Sequence, residues 1–209
     1  MKKFTLKTIL VAALAVIGIN TAKAEVETIY ERSSTSWAST DIADWGNAGA
    51  TINGGLSQSG TNGSFEASKA FTFEATSKVT LTATFSGGNA SGRAGSYDYI
   101  SFGGIEVRLE GQGQVGTIVC GATTSSLSGF SRGGTYNVTI VYDPTQGNAV
   151  CTVSGGSTGT ATISNPGSAG TVKIGHFKAG RENYAVTVVL KSIKIEEEKI
   201  CIWLKVNIL

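Results

Sequence analysis

From Val79 to Phe85 every second side chain is apolar (Val79, Leu81, Ala83, Phe85), and the positions between are threonine. Extended chain turns successive side chains to opposite faces, so this segment reads as a strand with one face buried and the other wet. Ile105 to Glu110 repeats the pattern with Glu106, Arg108 and Glu110 outward. Tyr136, Val138, Ile140 and Tyr142 share a face; Asp143 and Pro144 then begin a turn that closes through Gly147 before Ala149, Cys151 and Val153 return. That order predicts a hairpin.

Further strands are expected at Glu27–Arg32, Ala70–Glu74, Tyr99–Phe102, Gly116–Cys120, Thr160–Ile163, Val172–Phe177 and Val186–Glu196. The last changes phase after Leu190, which predicts a bulge or an end buried on both faces. Clusters such as Asn53, Gly54, Gly55 and Ser86 to Asn89 read as turns. With 28 Gly and only 2 Pro, no sustained helical period and no internal repeat, the expectation is an all-β two-sheet sandwich or a barrel.

The two ends differ from this body. Lys2, Lys3 and Lys7 precede an uncharged stretch from Ile9 to Ile19, and Ala22, Lys23, Ala24 form a small-x-small pattern. Residues 1–24 therefore read as a signal peptide, shorter than the roughly 20 apolar residues of a membrane span. The domain is expected at 25–198, exported to the periplasm, cell surface or medium, with no membrane span after cleavage. Lys199 to Leu209 is an apolar tail that reads as an edge strand or the remnant of a longer chain. Removing 1–24 takes four lysines and no acid, so 17 basic and 15 acidic residues become 13 and 15, a net charge of −2. Such a surface gives no reason to expect nucleic acid as partner.

Cys120, Cys151 and Cys201 are odd in number, so at most one internal disulfide can form; Cys120 with Cys151 is the pairing expected if any, and free thiols are the alternative.

Several features together resemble the concanavalin A-like lectin/glucanase superfamily, in particular the laminin-G-like jelly rolls of exported Bacteroides-type proteins. They are Tyr30, Glu31, Arg32; Trp37 and the Asp41 to Trp45 stretch; Gly92 to Tyr99 leading to Phe102 and Gly103; the 136–153 hairpin; and Leu190 to Ile193. The resemblance covers Glu25 to Glu198. It implies a two-sheet antiparallel jelly-roll sandwich whose first and last strands are adjacent, and it allows a carbohydrate ligand. Members include lectins, glycanases, adhesive modules and structural domains.

No enzyme is expected. The glycanase strand Glu-x-Asp-x-x-Glu is absent, and Glu106 and Glu110 stand about 13 Å apart along one strand, against the roughly 5–10 Å of a glycosidase pair. His176 is the only histidine and lies in an apolar strand, which reads as structural. No cofactor is expected; calcium held by Asp41, Asp44, Asp98 or Asp143 is an open alternative. Glu196 to Glu198 read as a solvated edge or linker.

The candidate ligand-binding residues are Arg93, Tyr97, Tyr99, Arg108, Trp45 and Arg181. If Ile100 and Phe102 face the core, Tyr97 and Tyr99 face outward near Arg93, and aromatic faces can bury the apolar side of a sugar ring while a guanidinium takes its hydroxyls. Packing against neighbouring strands is the competing explanation. Trp45 is a platform or a cap on the sandwich end, Arg108 a ligand contact or an ion-pair partner, and Arg181 a loop residue. The expected function is an exported, non-catalytic module binding a glycan or a surface protein; the alternatives are a structural or protein-interaction domain and, last, a divergent glycoside hydrolase.

Overall fold

The structure, a computed structural model, describes residues 17–46, 49–61, 63–87, 94–180 and 185–206. It is an all-β two-sheet antiparallel jelly-roll sandwich. Its strands in chain order are β1 Ile17–Arg32, β2 Thr51–Ile52, β3 Leu56–Thr61, β4 Phe65–Lys69, β5 Lys78–Ser86, β6 Tyr97–Phe102, β7 Ile105–Glu110, β8 Val115–Cys120, β9 Thr123–Ser126, β10 Thr135–Asp143, β11 Asn148–Gly155, β12 Gly159–Ser164, β13 Val172–Phe177 and β14 Ala185–Val206, with one short helix, α1, at Ser39–Asp44. The eight-stranded sheet runs β12-β11-β10-β5-β14-β3-β2, and β1 also pairs with β14. The six-stranded sheet runs β4-β13-β6-β7-β8-β9.

Alternation decides which residues meet between the sheets. Leu81, Phe85, Tyr136, Ile140, Leu190 and Ile195 enter from the larger sheet, and Ile100, Phe102, Ile105, Leu109, Ile118 and Ile174 from the smaller, all at most 1 % exposed. Burying an aliphatic or aromatic side chain of this size contributes roughly 1.5–3 kcal/mol each before conformational entropy is set against it.

Turn chemistry fixes the register. In the β10–β11 turn, Asp143 Oδ1 accepts from Thr145 N, Thr145 Oγ1 and Gln146 N at 3.0, 2.6 and 3.2 Å, and Gly147 takes φ +62°. The phase change after Leu190 is a bulge: the β14–β5 pairing shifts between Leu190 and Ser192. Residues 70–74 depart from the expected strand, which lies instead at Phe65–Lys69. Phe71 and Phe73 alternate as a strand would, yet this stretch crosses between sheets and follows β4 without a ladder of its own; their rings, 6.3 Å apart, pack on the core instead. Two sequence readings are corrected here. Glu197 is not a solvated edge but 3 % exposed, with Oε1 accepting the Glu74 N–H at 2.8 Å. Cys120 and Cys151 are not bonded: both are free thiols, one on each sheet, and burial pushes the Cys151 thiol up to about 12.

Candidate functional site

The outer face of the six-stranded sheet gathers most of the sequence candidates that fall within the described residues. The register sets a transverse row across it: Glu66 opposite Gly175, Gly175 opposite Tyr99, Tyr99 opposite Arg108, Arg108 opposite Thr117 and Thr117 opposite Ser126. Period two places Tyr97 and Phe177, themselves opposite one another, beside this row, and Lys173, Ser101 and Glu106 on its other side.

Each side chain is held by a neighbour. The Tyr99 hydroxyl donates to Glu66 Oε2 at 2.6 Å across β13. Gly175 makes that reach possible, because a Cβ there would lie 3.1 Å from the Tyr99 hydroxyl and 2.2 Å from the Phe65 carbonyl oxygen. Lys173 Nζ also meets Glu66, at 3.0 Å. Burial, reinforced by the hydrogen bond to the Glu66 carboxylate, raises the Tyr99 phenol well above the ordinary tyrosine range. Arg108 is clamped from two directions: its Nε donates to Glu106 Oε1, and its guanidinium lies 4.6 Å from the centre of the Tyr97 ring. The Tyr97 ring stacks on Phe177 at 5.1 Å and meets Tyr99 edge-on at 5.9 Å.

The result is an aromatic ledge of Tyr97 and Phe177 beside a strip of alternating charge, Lys173, Glu66, Arg108 and Glu106. Phe177 is 45 % exposed, with the Tyr97 ring stacked beside it. At the other side the face runs into a cleft of about 460 Å³ bounded by Ser101, Gly104, Glu106, Thr171 and Lys173. Chemically, the ledge can cover an apolar ring face, while Arg108 and Lys173 donate and Glu106 accepts. Sequence reasoning missed Phe177, Glu66 and Lys173. Phe177 was accessible through the period of Val172–Phe177; Glu66 and Lys173 require the strand register.

The remaining candidates fall elsewhere. Trp45 as a ligand platform is corrected: it is fully buried, its ring 6.0 Å from Trp37 and its Nε1 donating to the Tyr30 hydroxyl at 3.3 Å. Following α1, it plugs one end of the sandwich. Arg93 and Arg181 lie outside the described residues. His176 is inside the sandwich, 1 % exposed, its Nδ1 2.8 Å from Asp98 Oδ1. Of the four aspartates considered for calcium, Asp41 and Asp44 share α1, Asp98 is on β6 and Asp143 ends β10. Asp41 pairs with Arg32, Asp44 with Lys69, Asp98 with His176, and Asp143 holds its own turn. Burial opposes ionisation of Asp41, but the hydrogen bonds from Arg32 and the Ala38 N–H prevail and hold its carboxyl below the usual range. Among the described residues no helix is long and apolar enough to cross a membrane.

No protein-family model matches this chain, and no curated protein does. Solved structures do. A sialidase aligns with TM-score 0.55 at 12% identity over 70% of this chain but 16% of its own. An alginate lyase of polysaccharide lyase family 7 aligns with TM-score 0.54 at 12% identity over 71% of this chain and 78% of its own. Peanut lectin aligns at 0.51 and 11%, over 86% and 100%, and a Bacillus licheniformis β-glucanase at 0.52 and 12%, over 85% and 94%. At such identity the likeness speaks for fold alone. It corrects the expectation that the chain is no enzyme: a lyase and a glucanase share this fold with a lectin, so the sandwich and one missing motif do not separate binding from catalysis. The chain thus has the fold of the concanavalin A-like lectins and glucanases.

Proposed function

We propose that this chain is an exported carbohydrate-binding domain of the kind found in Bacteroides-type bacteria, released after residue 24, which engages its glycan on the outer face of the six-stranded sheet. The carrying observation is the stacked Tyr97–Phe177 pair, with Phe177 open to solvent and Arg108 over the opposite partner's ring. A solvent-facing aromatic pair with a fixed cation beside it matches the amphipathic surface of a sugar: the rings cover C–H groups, and the guanidinium, ammonium and carboxylates exchange hydrogen bonds with hydroxyls. The mixed signs of Lys173, Glu66, Arg108 and Glu106 give the face little net charge, which suits a neutral or weakly charged glycan. Export rests on the basic leader, the uncharged stretch and the Ala22-Lys23-Ala24 site.

A glycan array probed with the secreted protein tests this reading, with Tyr97→Ala and Phe177→Ala compared in parallel. Binding should weaken by about tenfold or more in each variant. Binding equal in all three proteins, or absent from the whole array, refutes a glycan site on this face; mass spectrometry showing residues 1–24 retained refutes the processing.

A further inference from the structure

Beyond the sandwich, β14 continues as half of a two-stranded ribbon. Its ladder with β5 ends at Lys78 opposite Glu198. From Lys199 to Val206 its partner among the described residues is β1 alone, with Ile200 opposite Ala24, Trp203 opposite Asn20 and Val206 opposite Ile17. Every residue that β1 sets against Ile200 and beyond therefore precedes Glu25.

The processing proposed above removes that half of the ribbon. Release after residue 24 leaves β1 from Glu25 onward, so residues 200–206 lose the ladder that holds them extended. Their composition does not suit them to water. Ile200, Ile202, Trp203, Leu204 and Val206 are apolar and mostly strand-forming types, Lys205 is the one charge among them, and no Pro is present to oppose pairing. A bare strand edge of this kind is a template for another strand. Where β1 resumes, Val26 stands opposite Glu198 and is 59 % exposed, an apolar side chain close to the vacated lane.

What fills the lane must be extended, antiparallel and apolar. Two copies of the same segment related by a two-fold axis meet antiparallel, and each satisfies the other by the same contacts. Pairing centred on Ile202 would oppose Lys199 to Lys205, whereas pairing centred on Trp203 sets Ile202 opposite Leu204 and Cys201 opposite Lys205, so that no lysine faces a lysine. We propose that the processed chain forms a two-fold dimer in which residues 200–206 of one copy take the lane of the leader strand on the other, with Trp203 at the axis, joining the larger sheets of the two copies. The leader is then an internal substitute for the second copy, and its removal couples processing to assembly. This assembly rests on cleavage after residue 24 and uses none of the Tyr97–Phe177 face.

Sedimentation equilibrium of the secreted protein at about 50 µM, above a micromolar Kd, tests the assembly, with the chain mass measured in parallel. A chain beginning at Glu25 and a particle of twice its mass are expected. Cys201→Ser should dimerise equally, which separates a ladder from a disulfide between copies. Trp203→Asp and Trp203→Lys each place like charges opposite one another at the axis, so each alone should dimerise more than tenfold more weakly while circular dichroism still reports the folded sandwich. Mixing the two variants should restore dimers, because opposite charges then meet. A processed chain that stays monomeric overturns the assembly alone. So does a dimer lost in Cys201→Ser, a dimer retained by either charged variant by itself, a mixture that stays monomeric, or particles of no fixed size. A secreted chain that keeps residues 1–24 overturns the processing as well, and the glycan array still reports separately on the sheet face.

Discussion

The wet faces of the two sheets are built on the same pleat and carry opposite chemistry. Across the eight-stranded sheet one row reads Lys194, Thr82, Thr139, Thr152, Thr160, each opposite the next. Beyond Lys194, which pairs with Glu196 at 2.6 Å, the row is threonine, with Thr152 Oγ1 and Thr160 Oγ1 3.3 Å apart; on the same sheet Thr84 Oγ1 donates to Asn137 Oδ1 at 2.9 Å. The equivalent row of the six-stranded sheet reads Glu66, Gly175, Tyr99, Arg108, Thr117, Ser126. Strand formation is satisfied by the threonines, which are good β formers with nothing else to do. Rings and long charged side chains add little to that purpose, and they cost entropy to hold in place. The glycine that seats Tyr99 against Glu66 belongs to this second pattern, on which the proposed glycan site rests.

Substitutions sharpen this contrast in decreasing order of effect. Gly175→Ala should be the most damaging, because its Cβ meets backbone of β4 as well as the Tyr99 hydroxyl; a loss of about 3 kcal/mol in urea unfolding is expected. An effect below about 1 kcal/mol would mean that β4 yields freely and that Tyr99 is not seated by the glycine.

Tyr99→Phe removes a phenol that donates to a carboxylate and should cost about 2 kcal/mol near neutral pH. It carries a pH signature as well. The folded state holds the Tyr99 proton more tightly than the unfolded chain does, so the stabilisation is whole below about pH 10 and drains away as pH climbs beyond it. Unfolding measured from neutral to strongly alkaline pH should therefore fall less steeply in Tyr99→Phe than in the parent. Tyr30, Tyr97, Tyr136 and Tyr142 are raised too, so some slope should remain. Identical slopes would break the link between Tyr99 and Glu66. Smallest of all, Thr82→Ala and Thr139→Ala should stay within about 0.5 kcal/mol of the parent and leave glycan binding untouched. A loss of binding there would move the contact surface to the other sheet.

Where the apolar period was clean, the sequence was readable: β7 and β13 begin and end where alternation puts them, and even the slip after Leu190 marks a bulge. Legibility failed where side chains are small. β3 is Leu56-Ser57-Gln58-Ser59-Gly60-Thr61, a composition that suits a turn, yet its first three residues are buried because the sandwich needs a strand beside β14. Thr123–Ser126 is likewise indistinct from loop, and its pairing with β8 is a decision of the tertiary structure. Counting by two placed Tyr97, Tyr99 and Arg108 on one face, but it did not show that Tyr99 is covered there, 7 % exposed, where an outward aromatic was expected. Their partners Glu66 and Lys173 come from strands placed alongside by register, which no local pattern encodes. Trp45 was open between platform and cap, because a tryptophan beside turn residues looks the same in sequence whether it points to water or is buried; the structure buries it.

The long β14 has a consequence for how the protein acquires its shape. It pairs with β5 along one side, and with β3 and then β1 along the other, so that Arg32 meets Ile193. The spine of the larger layer is therefore synthesised after every other strand, and β1 and β5 must wait for a neighbour that emerges well over a hundred residues later. Such distant pairings make for slow assembly. Until that segment arrives the larger layer lacks the strand to which β1, β3 and β5 are all joined.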